Sequence, residues 1–136
     1  MMDEKETLRA STAQHFEWSI RALAQSTDVQ LSLFPDFVCK ADELALDYEE
    51  RWGNFREELG ESLTSEQLDS ISALDKHLRA MSGLQNEKFW TDESMVNDPE
   101  WRLVRELALR VVAVMGWSSE PPPPGRSIYI GPNGRA

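Results

Sequence analysis

The segment from Asp98 to Gly116 restricts the fold of this chain more than any other. Asp98 followed by Pro99 is a helix start: an Asp side chain accepts an orphan N–H of the first turn, and proline has no N–H to leave unpaired there. Gly116 is the residue type that ends a helix in the left-handed region. Between them Trp101, Leu103, Val104, Leu107, Ala108, Val111, Val112, Val114 and Met115 cover more than half of the helical circumference. A helix this apolar must be covered by other helices, which places it at the centre of a bundle.

Three further segments have the pattern of such partners. The first begins in the acidic opening turn, carries Leu8, Phe16, Ile20 and Leu23 on one stripe, and should end between Gln25 and Asp28. Asp36, after Pro35, reads as the cap of the second. There Phe37, Ala41, Leu44, Tyr48, Trp52 and Phe55 recur in steps of three and four, with Gly53 expected to end or loosen the helix and Gly60 in the turn beyond. The third starts at Thr64 and Gln67, a capping box with Leu63 and Leu68 as its staple. Its stripe is Leu68, Ile71, Leu74, Leu78 and Met81, and Gly83 is the expected left-handed stop.

The connections are less regular. Val29-Gln30-Leu31-Ser32-Leu33 alternates apolar and polar and suggests an extended segment. A linker with Phe89 and Trp90 has room for one helical turn from Thr91. Beyond Ser118, Pro121 to Pro124 form a polyproline stretch, and Ile128-Tyr129-Ile130 is strand-like before Gly131-Pro132-Asn133-Gly134. The expected architecture is all-α: an antiparallel bundle of four main helices plus a short helical turn over residues 1–117, then an extended Pro/Gly-rich tail over 118–136.

Charge narrows the function classes. There are 14 basic against 24 acidic side chains, net −10. Such a field repels nucleic acid and anionic membranes and draws basic partners inward. A single cysteine, Cys39, forms no internal disulfide or multi-cysteine metal site. Lacking a signal-peptide pattern or a long apolar run, the chain is expected in the cytoplasm.

Tests for chemistry return little. The di-metal bundle pattern needs a Glu three residues before a His, but Leu74 precedes His77 and Thr12 precedes His15. Both histidines flank their apolar stripes and read as boundary residues. Cys39 lies near a helix N-terminus, which can lower a thiol pKa, but no histidine is close in sequence. No phosphate-cradling glycine loop or nucleophile elbow occurs, so no cofactor is expected. Asp47-x-x-Glu50 and Glu66-x-x-Asp69 resemble the paired acidic motifs of the all-helical nucleoside triphosphate pyrophosphohydrolases, with Asp47 in place of the usual first glutamate. That resemblance implies magnesium held by the four carboxylates. Helical geometry objects, because Asp47 and Glu50 lie opposite the buried seam.

What remains is a surface. Between Asp36 and Glu61 nine acids face three bases, giving −6 of the total −10 in under a fifth of the chain. Asp42 and Glu49 share one direction, and Glu43, Asp47 and Glu50 another, both away from the Leu44/Tyr48/Trp52 seam. Such a stripe is ordinarily a solvated helix face. Leu46 stands in its middle, as an apolar anchor ringed by charge does at an interface centre. Trp18 also falls off its helix's stripe, so it reads either as a second anchor or as packing under the C-terminal tail. Asp42-Glu43-Leu44-Ala45-Leu46-Asp47, with Phe89-Trp90-Thr91 and Asp98-Pro99-Glu100-Trp101, resembles small acidic helical proteins of bacteria, some of them immunity partners of secreted toxins. The likeness spans residues 36–117 and implies a stoichiometric inhibitor that masks a basic active site. The expectation is a non-catalytic binding domain whose contact residues are Asp42, Glu43, Leu46, Asp47, Glu49, Glu50 and Trp18. The alternatives are the magnesium-dependent hydrolase and an adaptor whose tail adds a strand to another chain.

Overall fold

The start and stop chemistry at the helix ends is realised in the computed structural model, which describes residues 4–123. Six α-helices follow in order: α1 Glu4–Leu23, α2 Thr27–Ser32, α3 Lys40–Leu59, α4 Ser65–Ala80, α5 Asp92–Asn97 and α6 Pro99–Met115. Short 3-10 turns lie at Gly60–Ser62 and Leu84–Phe89, and no strand occurs among the described residues. At α4 the Thr64 hydroxyl accepts the Gln67 N–H at 3.1 Å, while the Gln67 side chain accepts the Thr64 N–H at 2.9 Å. At α6 Asp98 accepts the Glu100 N–H at 2.9 Å. Gly116 takes φ 76°, which lets the Trp117 N–H reach back to the Val112 carbonyl.

The long helices pack in the spatial order α4, α6, α1, α3, so α1 and α6 share the middle. The core is continuous. Phe16 of α1 meets Trp52 and Phe55 of α3 at ring-centroid distances of 5.4 and 4.6 Å, and stands edge-on to Trp117 at 5.8 Å. Ile71 and Leu74 of α4 are buried with Trp101, Val104 and Val111 of α6. His77 Nε2 lies 3.0 Å from the Glu100 carbonyl and ties the end of α4 to the start of α6. His77 is thus a boundary residue, as its position suggested.

Several expectations need correction. Residues 29–33 are not extended: Thr27–Ser32 is helical, capped by Ser26. The alternation misleads because Gln30, a polar residue, points inward. Its Nε2 donates to the Ala22 and Leu23 carbonyls at 3.2 and 3.0 Å, satisfying acceptors left over at the end of α1. The second long helix starts at Lys40 with Cys39, not Asp36, as its cap, and Phe37 is 62% exposed. Gly53 does not end α3, which runs on to Leu59. Leu8 and Leu68 lie on their stripes but beyond the packed region, and both are exposed. Gly83 does have a positive φ, 105°, but α4 stops earlier, at Ala80, where Asn86 Nδ2 donates to the Ala80 carbonyl. Trp18, off its stripe on a helical wheel, is only 4% exposed.

Two indole N–H groups fix the connection between α4 and α6. Trp90 donates to the Met81 carbonyl at 2.8 Å and Trp101 to the Phe89 carbonyl at 2.6 Å, the two rings meeting edge to face. The start of the tail, through residue 123, lies along α1. Residues 124–136, with the strand-like patch Ile128-Tyr129-Ile130, lie outside the described residues. No helix of the described residues is long and apolar enough to cross a membrane.

Leu74 and Leu68 belong to one sequence stripe, but only Leu74 is buried. Leu74→Ala should therefore cost about 2–5 kcal/mol of unfolding free energy, and Leu68→Ala no more than about 0.5 kcal/mol. Denaturant titrations of both variants measure this; equal losses would contradict this packing.

Candidate functional site

α3 and α4 approach each other only loosely, unlike the other neighbouring pairs. The reason lies in the face α4 turns toward α3. Its apolar residues Ile71 and Leu74 face the core and Leu78 lies at the edge, whereas Asp75 and Arg79, with Ser82 just past the end of α4, border α3. The link between the helices is polar: Tyr48 Oη donates to Asp75 Oδ1 at 2.8 Å, and Arg79 Nε donates to Asp75 Oδ2 at 2.7 Å. Burial and the Asp75 carboxylate raise the Tyr48 phenol above its ordinary pKa, so it stays a donor.

A groove follows from this loose seam. Its inner part, a cavity of about 520 Å³, is lined by Tyr48, Trp52, Leu78 and Trp90 together with Arg56 and Arg79. The Arg56 guanidinium sits over the Trp52 ring, 5.6 Å from its centroid. The outer part, about 570 Å³, is bounded by Asp42, Ala45, Leu46 and Glu49 of α3 and by Ser82, Gly83, Leu84 and Glu87 of the following connection. Ala45, Glu49, Ser82 and Trp90 line both parts, so the two are one continuous surface. Leu46 is 59% and Leu84 85% exposed on opposite walls. Three carboxylates, Asp42, Glu49 and Glu87, rim them.

The expected contact residues divide in two. Asp42, Leu46 and Glu49 line the groove, and Glu50 is exposed beside them. Glu43 and Asp47 do not belong to it. α3 is touched by α1 and also by α5, so its free arc is narrower than a helical wheel implies. Trp18 is not an exposed anchor either: its ring is buried and its N–H is bound to the Pro123 carbonyl. The groove residues that the sequence pattern does not reveal are Leu84, Glu87 and Trp90. They come from an irregular connection with no periodicity to mark which side chains stay in solvent.

A helical wheel puts Asp47 on a solvated face, yet its side chain is only 13% exposed. Oδ1 accepts from Arg51 Nε at 3.3 Å, while Oδ2 is buried without a hydrogen-bond partner. Desolvation raises its pKa to about 6; Arg51 opposes the shift, and Glu50 and Glu43 add to it. Asp47, Glu50, Glu66 and Asp69 are not gathered: among the described residues no three His, Cys, Asp or Glu side chains are placed to hold a metal ion. Cys39 caps α3, but desolvation, with Asp42 and Asp92 nearby, raises its thiol pKa instead of lowering it. The chain matches no family model, no curated protein and no solved structure, so function rests on geometry.

Asp47 has a pH signature. Its native pKa lies above the unfolded value, so the native state holds the proton more tightly and protonation is stabilising. Stability should fall as pH rises from about 4 through about 6, by at most about 3 kcal/mol from this group. Asp47→Asn, which keeps an acceptor for Arg51, should remove that component and stabilise the protein at pH 7. Denaturant midpoints of both proteins at pH 4, 5, 6 and 7 test it. A difference between them that is constant with pH would refute the assignment.

Proposed function

We propose that this domain is a non-catalytic binding protein that takes a basic, amphipathic segment of a partner protein into the α3–α4 groove. The observation that carries this reading is the arrangement of Leu46 and Leu84. They stand exposed on facing walls above Trp90, inside a rim of Asp42, Glu49 and Glu87. A solvated acidic helix face needs neither the second wall nor the apolar centre. An apolar strip framed by carboxylates suits a segment with leucine-like side chains on one face and Lys or Arg on its flanks.

The acidic wall gives the encounter its speed, and the apolar pair gives the complex its lifetime. Such a division suits a stoichiometric inhibitor that must capture a basic active-site surface before it acts. The reading therefore extends to an inhibitor of the toxin-immunity type. Arg56 and Arg79, at the inner end, set the polarity of the bound segment: its acidic or C-terminal end lies toward them and its basic flank toward Asp42 and Glu87.

A partner isolated on the full-length protein provides the probe, and surface plasmon resonance at two salt concentrations provides the test. Reversing Asp42, Glu49 and Glu87 to Lys should slow association at least about tenfold at low salt, on the order expected for lost steering, and much less at high salt. Leu46→Ala and Leu84→Ala should leave association nearly unchanged and speed dissociation, each costing about 1–2 kcal/mol. Reversing Glu43, outside the groove, should have a smaller effect than reversing Glu49. A partner that binds all of these variants like the native protein rejects the groove as the contact site.

A further inference from the structure

The charge on the walls of the α3–α4 groove changes sign along its length. On α3 the charged residues that line it are Asp42, Glu49 and Arg56, spaced i, i+7 and i+14 on one stripe, about 10 Å of helix between successive members. On the opposite wall Glu87 belongs to the outer part and Arg79 to the inner. Both guanidiniums are held in place by the protein itself. Asp75 accepts Arg79 Nε at 2.7 Å on one oxygen and the Tyr48 hydroxyl at 2.8 Å on the other, so this carboxylate is used up and the terminal nitrogens of Arg79 are left over. Arg56 sits over the Trp52 ring; among the described residues the ion pairs engage Arg21, Lys40, Arg51 and Arg79, and not Arg56. Beside Arg56, three residues back, the α3 wall is bare. Gly53 lies inside the helix, where glycine is the poorest former after proline, and its backbone is ordinary helix. No internal packing asks for it: a Cβ there would meet nothing within 4 Å beyond its own helix, and the position lines the cavity. What the missing side chain provides is room for another backbone to come close.

We propose that the inner cavity receives the C-terminal residue of the partner's segment, with its free carboxylate on Arg56 and Arg79 and its main chain over Gly53; this rests on the groove being the contact site. A carboxylate presents two coplanar oxygens, which guanidinium forks match. The apolar side chain of that last residue meets Trp52, Leu78 and Trp90. The residues before it run outward past Glu49 to Asp42 and Glu87, where the basic flank is favoured. An acidic side chain within the segment would also suit the two arginines, but it reaches them on its own stem and needs no bare wall. A chain end brings its carboxylate on the main chain, so the backbone itself has to approach α3, and Gly53 is what permits it.

The test uses the full-length protein and the unlabelled peptide acetyl-Lys-Lys-Leu-Lys-Lys-Leu-Leu, made once with a free C-terminal carboxylate and once as the amide. Titrations follow the Trp52 and Trp90 indole resonances. The free acid should bind about tenfold tighter than the amide, on the order of one charge-assisted contact. The sign is diagnostic, because against a protein of net charge −10 the amide, one charge more positive, would win if net charge alone decided. Arg56→Gln, at an exposed position, should cut the preference to about twofold or less. Gly53→Ala should raise the denaturant midpoint, since alanine is the better helix former, and yet weaken binding of the free acid. Equal affinity of acid and amide, with both peptides shifting the two indoles, would leave the groove standing as the contact site and overturn the chain-end assignment. So would a preference that survives Arg56→Gln, or a Gly53→Ala protein that binds the free acid as the native one does. An amide peptide ending in Glu that matches the free acid would transfer the cavity to an internal acidic residue. Should neither peptide shift either indole at millimolar concentration, the groove reading itself falls, and this inference with it.

Discussion

A buried indole must place its N–H on an acceptor, and much of this structure is arranged around that requirement. A tryptophan supplies more apolar area than any other side chain, but its single donor cannot be left unpaired inside a protein without a cost of about 1–3 kcal/mol. Helix backbones have no carbonyl to spare except at their ends. Trp18, Trp90 and Trp101 therefore each find an acceptor outside regular helix, at Pro123, Met81 and Phe89. One consequence is that the irregular parts of the chain are held where the indoles need them. The α4–α6 connection is pinned at both Met81 and Phe89, and the beginning of the tail is drawn onto α1.

The pinned connection in turn creates the groove. Four helices around one core can close every seam with apolar ridges, and three seams here do so. The fourth, between α3 and α4, is bridged by the hydrogen bond from Tyr48 to Asp75, which Arg79 holds from within α4. A hydrogen-bonded bridge holds two helices at a distance that interlocked leucines would not. Trp90, fixed by its N–H, then floors the gap, and Leu84 is carried to the wall opposite Leu46. The same side chains thus stabilise the fold and shape the surface offered to a partner. Asp47 shows where this dual use ends. Its carboxylate is half paired and largely desolvated, which makes one acidic residue of α3 a source of pH dependence and keeps it from direct contact with a partner.

The four long helices and most of the core are determined by the sequence itself. The caps at Thr64 and Asp98 and the stop at Gly116 are local chemistry, satisfied within a few residues, so they read directly from the chain. The seam from Ala41 to Phe55 and the stripe from Ile71 to Met81 follow from helical periodicity alone, and their residues are buried. Leu46 is legible for the same reason, as the apolar residue on the wrong face.

Tertiary structure decided what periodicity does not contain. Whether Leu68 or Leu74 is covered depends on how far the neighbouring helix extends. That Gln30 is a core residue depends on the free carbonyls of another helix. Which acids of α3 face a partner depends on how much of its circumference α1 and α5 occupy. Leu84, Glu87 and Trp90 join them only because two indoles hold a connection without periodicity in place. Local sequence sets which face of a helix is apolar; only contacts between distant parts of the chain set which of the remaining faces stay in water.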